Sequence, residues 1–449
     1  MSDLLAGRAQ MGTSLGFHIV FACLGVGLPV LIAMAHFVGL KRDDAIWMRV
    51  AERIARAFTV LVVIGVISGI VISIELSLLW PRFMEAAGPV IGTPISLETY
   101  AFFMEAIFLA LYLFGRDRLS PWAHWATLIP VCLGGALSTW IIVSVNSWMN
   151  APVGFDYVNG EFRNPDIVAA IFNPAMPGQT LHMLSAAYMA SGFAVAAVYA
   201  FSMLRGRRGL YERRGLALGM TLVAFWTIPM GVSGDLAGRL LHENQPLKLA
   251  AAEALVETEQ GAPLTIGGIV NEEGGVDYGI EIPYGLSLLV SRDPSTVIKG
   301  LEEFPRDEWP NVPIVRYAFQ FMVGVGTGLG LVMFAYWFAR WKRPGWLEGR
   351  SPLLMAIVAC GPLTFACIEA GWIVTELGRQ PWIVYGFTRT SDALTDSPLV
   401  GLMFLIFTLL YLGLTAVTII TLRSELAVLP QRARVPEGNG AGRDAAAAR

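Results

Sequence analysis

Residues 353–382 read LLMAIVACGPLTFACIEAGWIVTELGRQPW. Up to residue 375 the stretch is apolar except for Thr364, Glu369 and Thr375. It is long enough to cross ~30 Å of hydrocarbon as a helix, which takes about 20 residues. It then ends on Glu376, Arg379, Gln380 and Trp382, with Pro381 stopping the helix. Glu369, Trp372, Ile373 and Glu376 recur at i, i+3, i+4 and i+7, so two carboxylates and an indole share one helix face. Arg379 follows with fixed donors for an anionic group, and Trp382 suits a membrane interface. A span that closes in this way presents an acid at the membrane surface with a guanidinium beside it.

The rest of the chain has the same apolar character. It is 55% hydrophobic and 15% charged, with mean hydropathy +0.57, where soluble domains carry about 25% charged residues. An ordinary soluble domain is excluded, and the fold class is an all-α polytopic membrane helical bundle. Nine runs qualify as spans: 12–39, 57–80, 97–115, 122–147, 179–204, 216–237, 314–339, 353–375 and 399–422. Alternate connections are basic: Lys41, Arg42, Arg49, Arg53 and Arg56; Arg116 and Arg118; Arg205, Arg207, Arg208, Arg213 and Arg214; Arg340, Lys342, Arg343 and Arg350. Arg423, Arg432, Arg434, Arg443 and Arg449 add to the C-terminal side. By the positive-inside rule the N-terminus lies outside and the C-terminus in the cytoplasm. No charged n-region and cleavage site precede the first run, which therefore reads as a permanent span and not a signal peptide.

Residues 1–425 form one membrane-embedded domain in this reading, and 426–449 a disordered cytoplasmic tail of small and polar residues. The 238–312 connection is far longer than the usual loop and belongs to the functional class of long loops. Within it, QPLKLAAAEALVETE starts a helix on Pro246, and YGIEIPYGLSLLV is β-prone or membrane-surface-seeking. Cys23, Cys132, Cys360 and Cys367 fall inside apolar runs without metal spacing and read as packing residues. The net charge of −3 suggests no nucleic-acid partner. There is no convincing internal repeat.

Ionisable residues within spans are functional candidates. Here they are Glu75, Glu98, Glu105, Glu369 and Glu376, with His18, His36, His124 and His182. His18, Glu98, His182, Met322 and Glu376 all fall in the outer half of the predicted spans, on five helices. Histidine, methionine and carboxylate hold haem iron axially: a His/Met pair saturates it for electron transfer, and a single ligand leaves a position open. Each residue also has an ordinary reading: a hydrogen-bonded histidine, a core methionine, or, for Glu98 and Glu105, a structural pair as readily as a proton path. His36 and His124 sit near inner ends and stay outside the ligand set.

RAQMGTSLGFH (8–18), LETYAFFMEAIFLALYLFGRDRL (97–119), WIIVSVNSWMNAPVG (140–154), KLAAAEALVET (248–258) and EAGW with GRQPW (369–372, 378–382) occur in this order. Together they resemble subunit I of the cytochrome bd-type ubiquinol oxidases, with the likeness running from about residue 8 to 422. The resemblance implies a terminal respiratory oxidase of a bacterial inner membrane. Quinol would be oxidised at the outer loop, and dioxygen reduced to water with protons taken from inside, electrogenically and without pumping. It implies His182 and Met322 as ligands of a low-spin haem b, Glu376 of a high-spin haem b, and His18 of the oxygen-site haem, a haem d or a third haem b.

Glu98 and Glu105 match acids tied to the oxygen site, with Ser138 and Asn146 on the proton route. Lys248 and Glu253 match quinol-interacting positions of the Q-loop, and Arg8, Trp372, Arg379 and Trp382 fit supporting roles around the haems. The implied partner is a second, similarly sized membrane subunit, subunit II, accompanied or not by a small single-span one.

Two departures stand out. Gln320 occupies a position where many members carry arginine, removing a positive charge beside the low-spin haem. The loop lacks the long insertion of some members, as in the short-loop branch that includes cyanide-insensitive oxidases. The competing readings are an ion-coupled transporter, opposed by the missing repeat, and a haem-bearing electron-transfer subunit without oxygen chemistry.

Overall fold

A computed structural model describes residues 2–342 and 351–427. Arg343, Arg350 and the predicted tail from residue 428 onward lie outside the described residues. The long helices are α1 (Asp3–Arg42), α2 (Ala45–Leu79), α3 (Pro81–Phe114) and α5 (Leu128–Asn150), which continues the short α4 (Pro121–Ala126). The short α6 (Ile167–Ile171) precedes α7 (Met176–Leu204) and α8 (Leu210–Asn244). Two short helices follow, α9 (Pro246–Glu253) and α10 (Gly285–Ser291). Then come α11 (Val312–Lys342), α12 (Pro352–Leu377), the brief α13 (Thr390–Ala393) and α14 (Val400–Ala427). Among the described residues nine helices are long and apolar enough to cross a membrane, α4 and α5 counting as one.

Local chemistry sets the boundaries. Asp43 leaves α1 in the left-handed conformation, and the Asp44 carboxylate accepts from Ile46 N–H at 2.9 Å to start α2. Pro81, Pro121 and Pro352 stand in first turns, where no N–H is needed. Several helices outrun the predicted spans, and the largest difference is at α3, which begins at Pro81 and not near residue 97. Pro89 and Pro94 lie inside it, and internal prolines argue against helix unless neighbours absorb the lost hydrogen bonds.

Among the long helices, α7 packs against α8, α12 and α1; α1 also meets α2 and α14; α3 lies on α5 and α11 on α12. Leu31, Ile32, Phe58, Leu128, Phe193, Met220, Tyr336 and Leu354 are fully buried at the centre. The two ends differ. At one, the basic connections gather, with Arg214 on Asp44 at 2.6 Å and Arg116 on Glu52 at 2.5 Å. At the other, Thr395 N–H donates to Leu79 O at 2.9 Å and Tyr385 N–H to Met149 O at 3.0 Å.

The long connection sits at this second end. It is shorter than the 238–312 predicted from hydropathy, because α8 carries on through Asn244. The helix from Pro246 forms, but ends at Glu253 with Ala254 left-handed. Leu264–Ile266 pairs antiparallel with Ile280–Ile282, and Ile269–Val270 with Val276–Asp277, making a hairpin. The YGIEIPYGLSLLV segment therefore divides into a strand followed by α10.

Candidate functional site

His18 and His182 stand in the same arrangement on different helices. His182 Nδ1 is 3.1 Å from Ser233 Oγ, whose proton goes to Met230 O at 3.0 Å. His18 Nδ1 is 2.9 Å from Ser68 Oγ, whose proton goes to Gly65 O at 2.9 Å. A serine that donates to a carbonyl can only accept from the ring, so Nδ1 carries the hydrogen in both cases. The Nε2 lone pair is left free, as metal-ligating histidines require. A Cβ on Gly69 would fall 3.2 Å from His18 Cε1, and one on Gly371 would fall 3.1 Å from Met322 Sδ, so both candidate ligands rely on a missing side chain. His182 and Met322 lie on α7 and α11, which both pack against α12.

Glu376, at the end of α12, is held on both oxygens. Asn146 Nδ2 donates to Oε1 at 2.6 Å and Arg379 Nη2 to Oε2 at 2.6 Å. Arg379 is 2% exposed, and its Nε and Nη1 are buried without a protein partner, so it can still take an anionic group. Trp372 packs half-buried against the main core, and Arg389 lies over the Trp382 ring at 5.2 Å. Arg8 is exposed on α1 and makes no hydrogen bond or ion pair among the described residues.

The two loop candidates point in different directions. Lys248 Nζ donates to Asn150 Oδ1 at 2.7 Å and to Thr375 O at 2.9 Å. Burial holds this ammonium well below the usual lysine range; Arg379 adds to the effect and Glu376 opposes it. Glu253 is 4% exposed and accepts from Arg316 Nη1 at 2.9 Å, while its Oε1 is buried without a partner. Burial raises its carboxyl above the ordinary range, and the guanidinium opposes this.

Arg316 also donates to Ala252 O at 3.2 Å and to Thr265 O. One turn on, Gln320 donates to Thr265 O at 3.3 Å and accepts from Gly267 N–H at 3.2 Å. Gln320 is thus a tie between α11 and the hairpin. Sequence reasoning missed Arg316, which stands near the start of the predicted 314–339 span, and Asn150, just past the predicted 122–147 span; it also missed Ser68 and Ser233, whose partners are distant in sequence.

Glu98 does not stand at the depth predicted for it. It lies well inside α3 and accepts from Ser138 Oγ at 2.8 Å. Ser138 is eight residues before Asn146 on α5, or about 12 Å down the axis from Glu376. The five residues inferred to share a depth are therefore spread over about 12 Å of the bundle, and for Glu98 the helix start was set too late. Glu105 is one heptad farther, buried against Gly134 and Gly135. Of the other acids, Glu75 is fully buried and accepts from Ser14 at 2.8 Å, and Glu369 lies against Gly16. His36 and His124, near the inner ends as expected, are buried and joined through Tyr112.

Among the described residues no three His, Cys, Asp or Glu converge as a metal cage. Single donors with a free lone pair, together with a buried guanidinium awaiting an anion, suit an iron held mainly by its own macrocycle with propionate arms. Several known proteins are similar to this chain. The family model for cytochrome bd terminal oxidase subunit I matches residues 6–429. A Bacillus subtilis protein provisionally named cytochrome bd menaquinol oxidase subunit I is 38% identical, covering 94% of this chain and 96% of its own. The cytochrome bd ubiquinol oxidase subunit 1 of the same organism is 30% identical, over 95% and 94%. The solved bd oxidase of Geobacillus thermodenitrificans superposes with a TM-score of 0.91 at 40% identity, covering 95% of this chain and 99% of that one. The chain therefore belongs to the cytochrome bd terminal oxidase subunit I family, whose members are subunits of terminal quinol oxidases.

Proposed function

We propose that this chain is the haem-bearing catalytic subunit of a quinol:oxygen oxidoreductase in a bacterial cytoplasmic membrane. Its N-terminus and the loop between α8 and α11 face out, and the end carrying the basic connections faces the cytoplasm. Residues 1–425 act as one haem-binding domain. The observation that carries this reading is the pair of histidines held with Nε2 free, in the half of the bundle nearer the end where Glu376 and Arg379 meet the folded loop. His182 and Met322 would hold a low-spin haem b, Glu376 a high-spin haem b, and His18 a haem d or a third haem b. Haem, when bound, supplies one-electron transfer and oxygen binding.

The chain's own groups do the rest. Glu253 Oε1, unpartnered and buried, is placed to accept a hydrogen bond from a quinol hydroxyl, and Arg316 holds the other carboxylate oxygen. Protons for water formation would come from the cytoplasmic side, with Glu105, Glu98 and Ser138 holding them below Asn146. The second subunit covers apolar helix faces of this one. Relatives carry both ubiquinol and menaquinol names, so the substrate class is quinol.

The complex purified from native membranes should give two or three haems per chain by pyridine haemochrome, one reactive with carbon monoxide, and should consume oxygen with a quinol donor. A colourless complex, or one with a single unreactive haem, would overturn the reading.

A further inference from the structure

We propose that Lys248 and Asn150 are positioning residues for Glu376, so that α9 serves the carboxylate at the end of α12 and not the quinol directly. This rests on the placement of a haem at Glu376 in the reading above, and changes the role that family resemblance gives Lys248.

The contacts form one unbroken line. Lys248 Nζ donates to Asn150 Oδ1 at 2.7 Å, and Asn150 Nδ2 donates to Asn146 Oδ1 at 3.1 Å. Asn146 Nδ2 donates to Glu376 Oε1 at 2.6 Å, and Arg379 closes on the other oxygen at 2.6 Å. Both amides point the same way, carbonyl toward the ammonium and NH₂ toward the carboxylate. The Nζ donor at one end and the carboxylate at the other favour that orientation, and successive bonds polarise one another in a low-dielectric setting.

Asn150 Nδ2 also donates to the Asn146 backbone O at 2.9 Å, so its orientation rests on that carbonyl and on Lys248 together. Without Lys248 the Asn150 Oδ1 loses its donor, and the amide that faces Asn146 Oδ1 is held at one end only. The second bond of Lys248, to Thr375 O, steadies the last turn of α12 beside the same acid. Lys248 is 3% exposed, and its two bonds go to Asn150 and to Thr375, the residue before Glu376. At the other end of α9, Glu253 faces Arg316. One short helix therefore presents two groups to two sites.

The test uses the purified, haem-loaded complex carrying Lys248→Met or Asn150→Asp, with Glu253→Gln as comparator. Asn150→Asp keeps the size and the acceptor but loses the donor to Asn146, and it serves if Lys248→Met fails to assemble. Both should shift the high-spin haem band and its midpoint potential. They should lower kcat by about 10- to 100-fold, the usual cost of losing a partner behind a metal ligand. The quinol KM should stay within about twofold, as for loss of an interaction not made with substrate. Lys248→Arg should recover part of the spectral signature. Glu253→Gln should raise KM and leave that band in place. A raised KM in Lys248→Met or Asn150→Asp, with the high-spin band and potential unchanged, overturns this inference alone. A wild-type complex lacking a high-spin haem overturns the functional reading and this one together.

Discussion

At His18 and at His182 a histidine, a serine and a backbone carbonyl recur as one unit. The hydroxyl sets the tautomer, and the tautomer decides which nitrogen can bind iron. Ser233→Ala removes the acceptor without touching the ring, so the low-spin haem should persist with weakened retention and a shifted α-band. His182→Ala should abolish that band while the chain still inserts. Reduced-minus-oxidised spectra of solubilised membranes distinguish the two, and normal spectra in His182→Ala would refute the ligand assignment. Both histidines stood out in the sequence as ionisable residues within apolar runs. Their serines did not, since they return their protons to their own helices as span serines such as Ser73 and Ser77 do, and only the fold brings a histidine to the hydroxyl.

Among elements, α11 joins the loop to the bundle. Arg316 is 1% exposed and reaches Glu253, Ala252 and the first strand of the hairpin from a single side chain. Removing one partner of such a buried pair costs about 3–5 kcal/mol, because the other charge is left without compensation. Arg316→Met should therefore loosen residues 252–282 and raise the quinol KM, while exchange in α7 and α8 stays slow. Hydrogen–deuterium exchange by mass spectrometry reads this directly, and unchanged protection of the hairpin would count against the clamp. The helix at Pro246 was legible from a proline in the first turn and a run of good helix formers. The hairpin was not, because its pairing depends on α11 presenting Arg316 and Gln320 to its backbone.

The whole molecule has two chemically different ends, one gathering arginines and the other the folded loop. If the arginine-rich end faces the cytoplasm, a cysteine replacing Tyr278, a loop residue 92% exposed, should react with an impermeant maleimide in spheroplasts. A cysteine replacing Arg207 should react only after permeabilisation. The four native cysteines, all in spans and buried or half-buried, leave little background. The reverse labelling pattern would invert the topology.

Span number, helical class and the distribution of cations were readable from the chain alone, because bilayer thickness and the cost of unpaired backbone impose a length and a composition on every crossing segment. The intramembrane acids and histidines were readable for the same reason: lipid makes each of them conspicuous. Folding alone revealed that Glu98 sits well below Glu376 and meets Ser138, that Lys248 reaches Glu376 through two asparagines, and that Arg316 clamps the loop. Such links join residues far apart in sequence, through hydrogen bonds whose partners no periodicity announces.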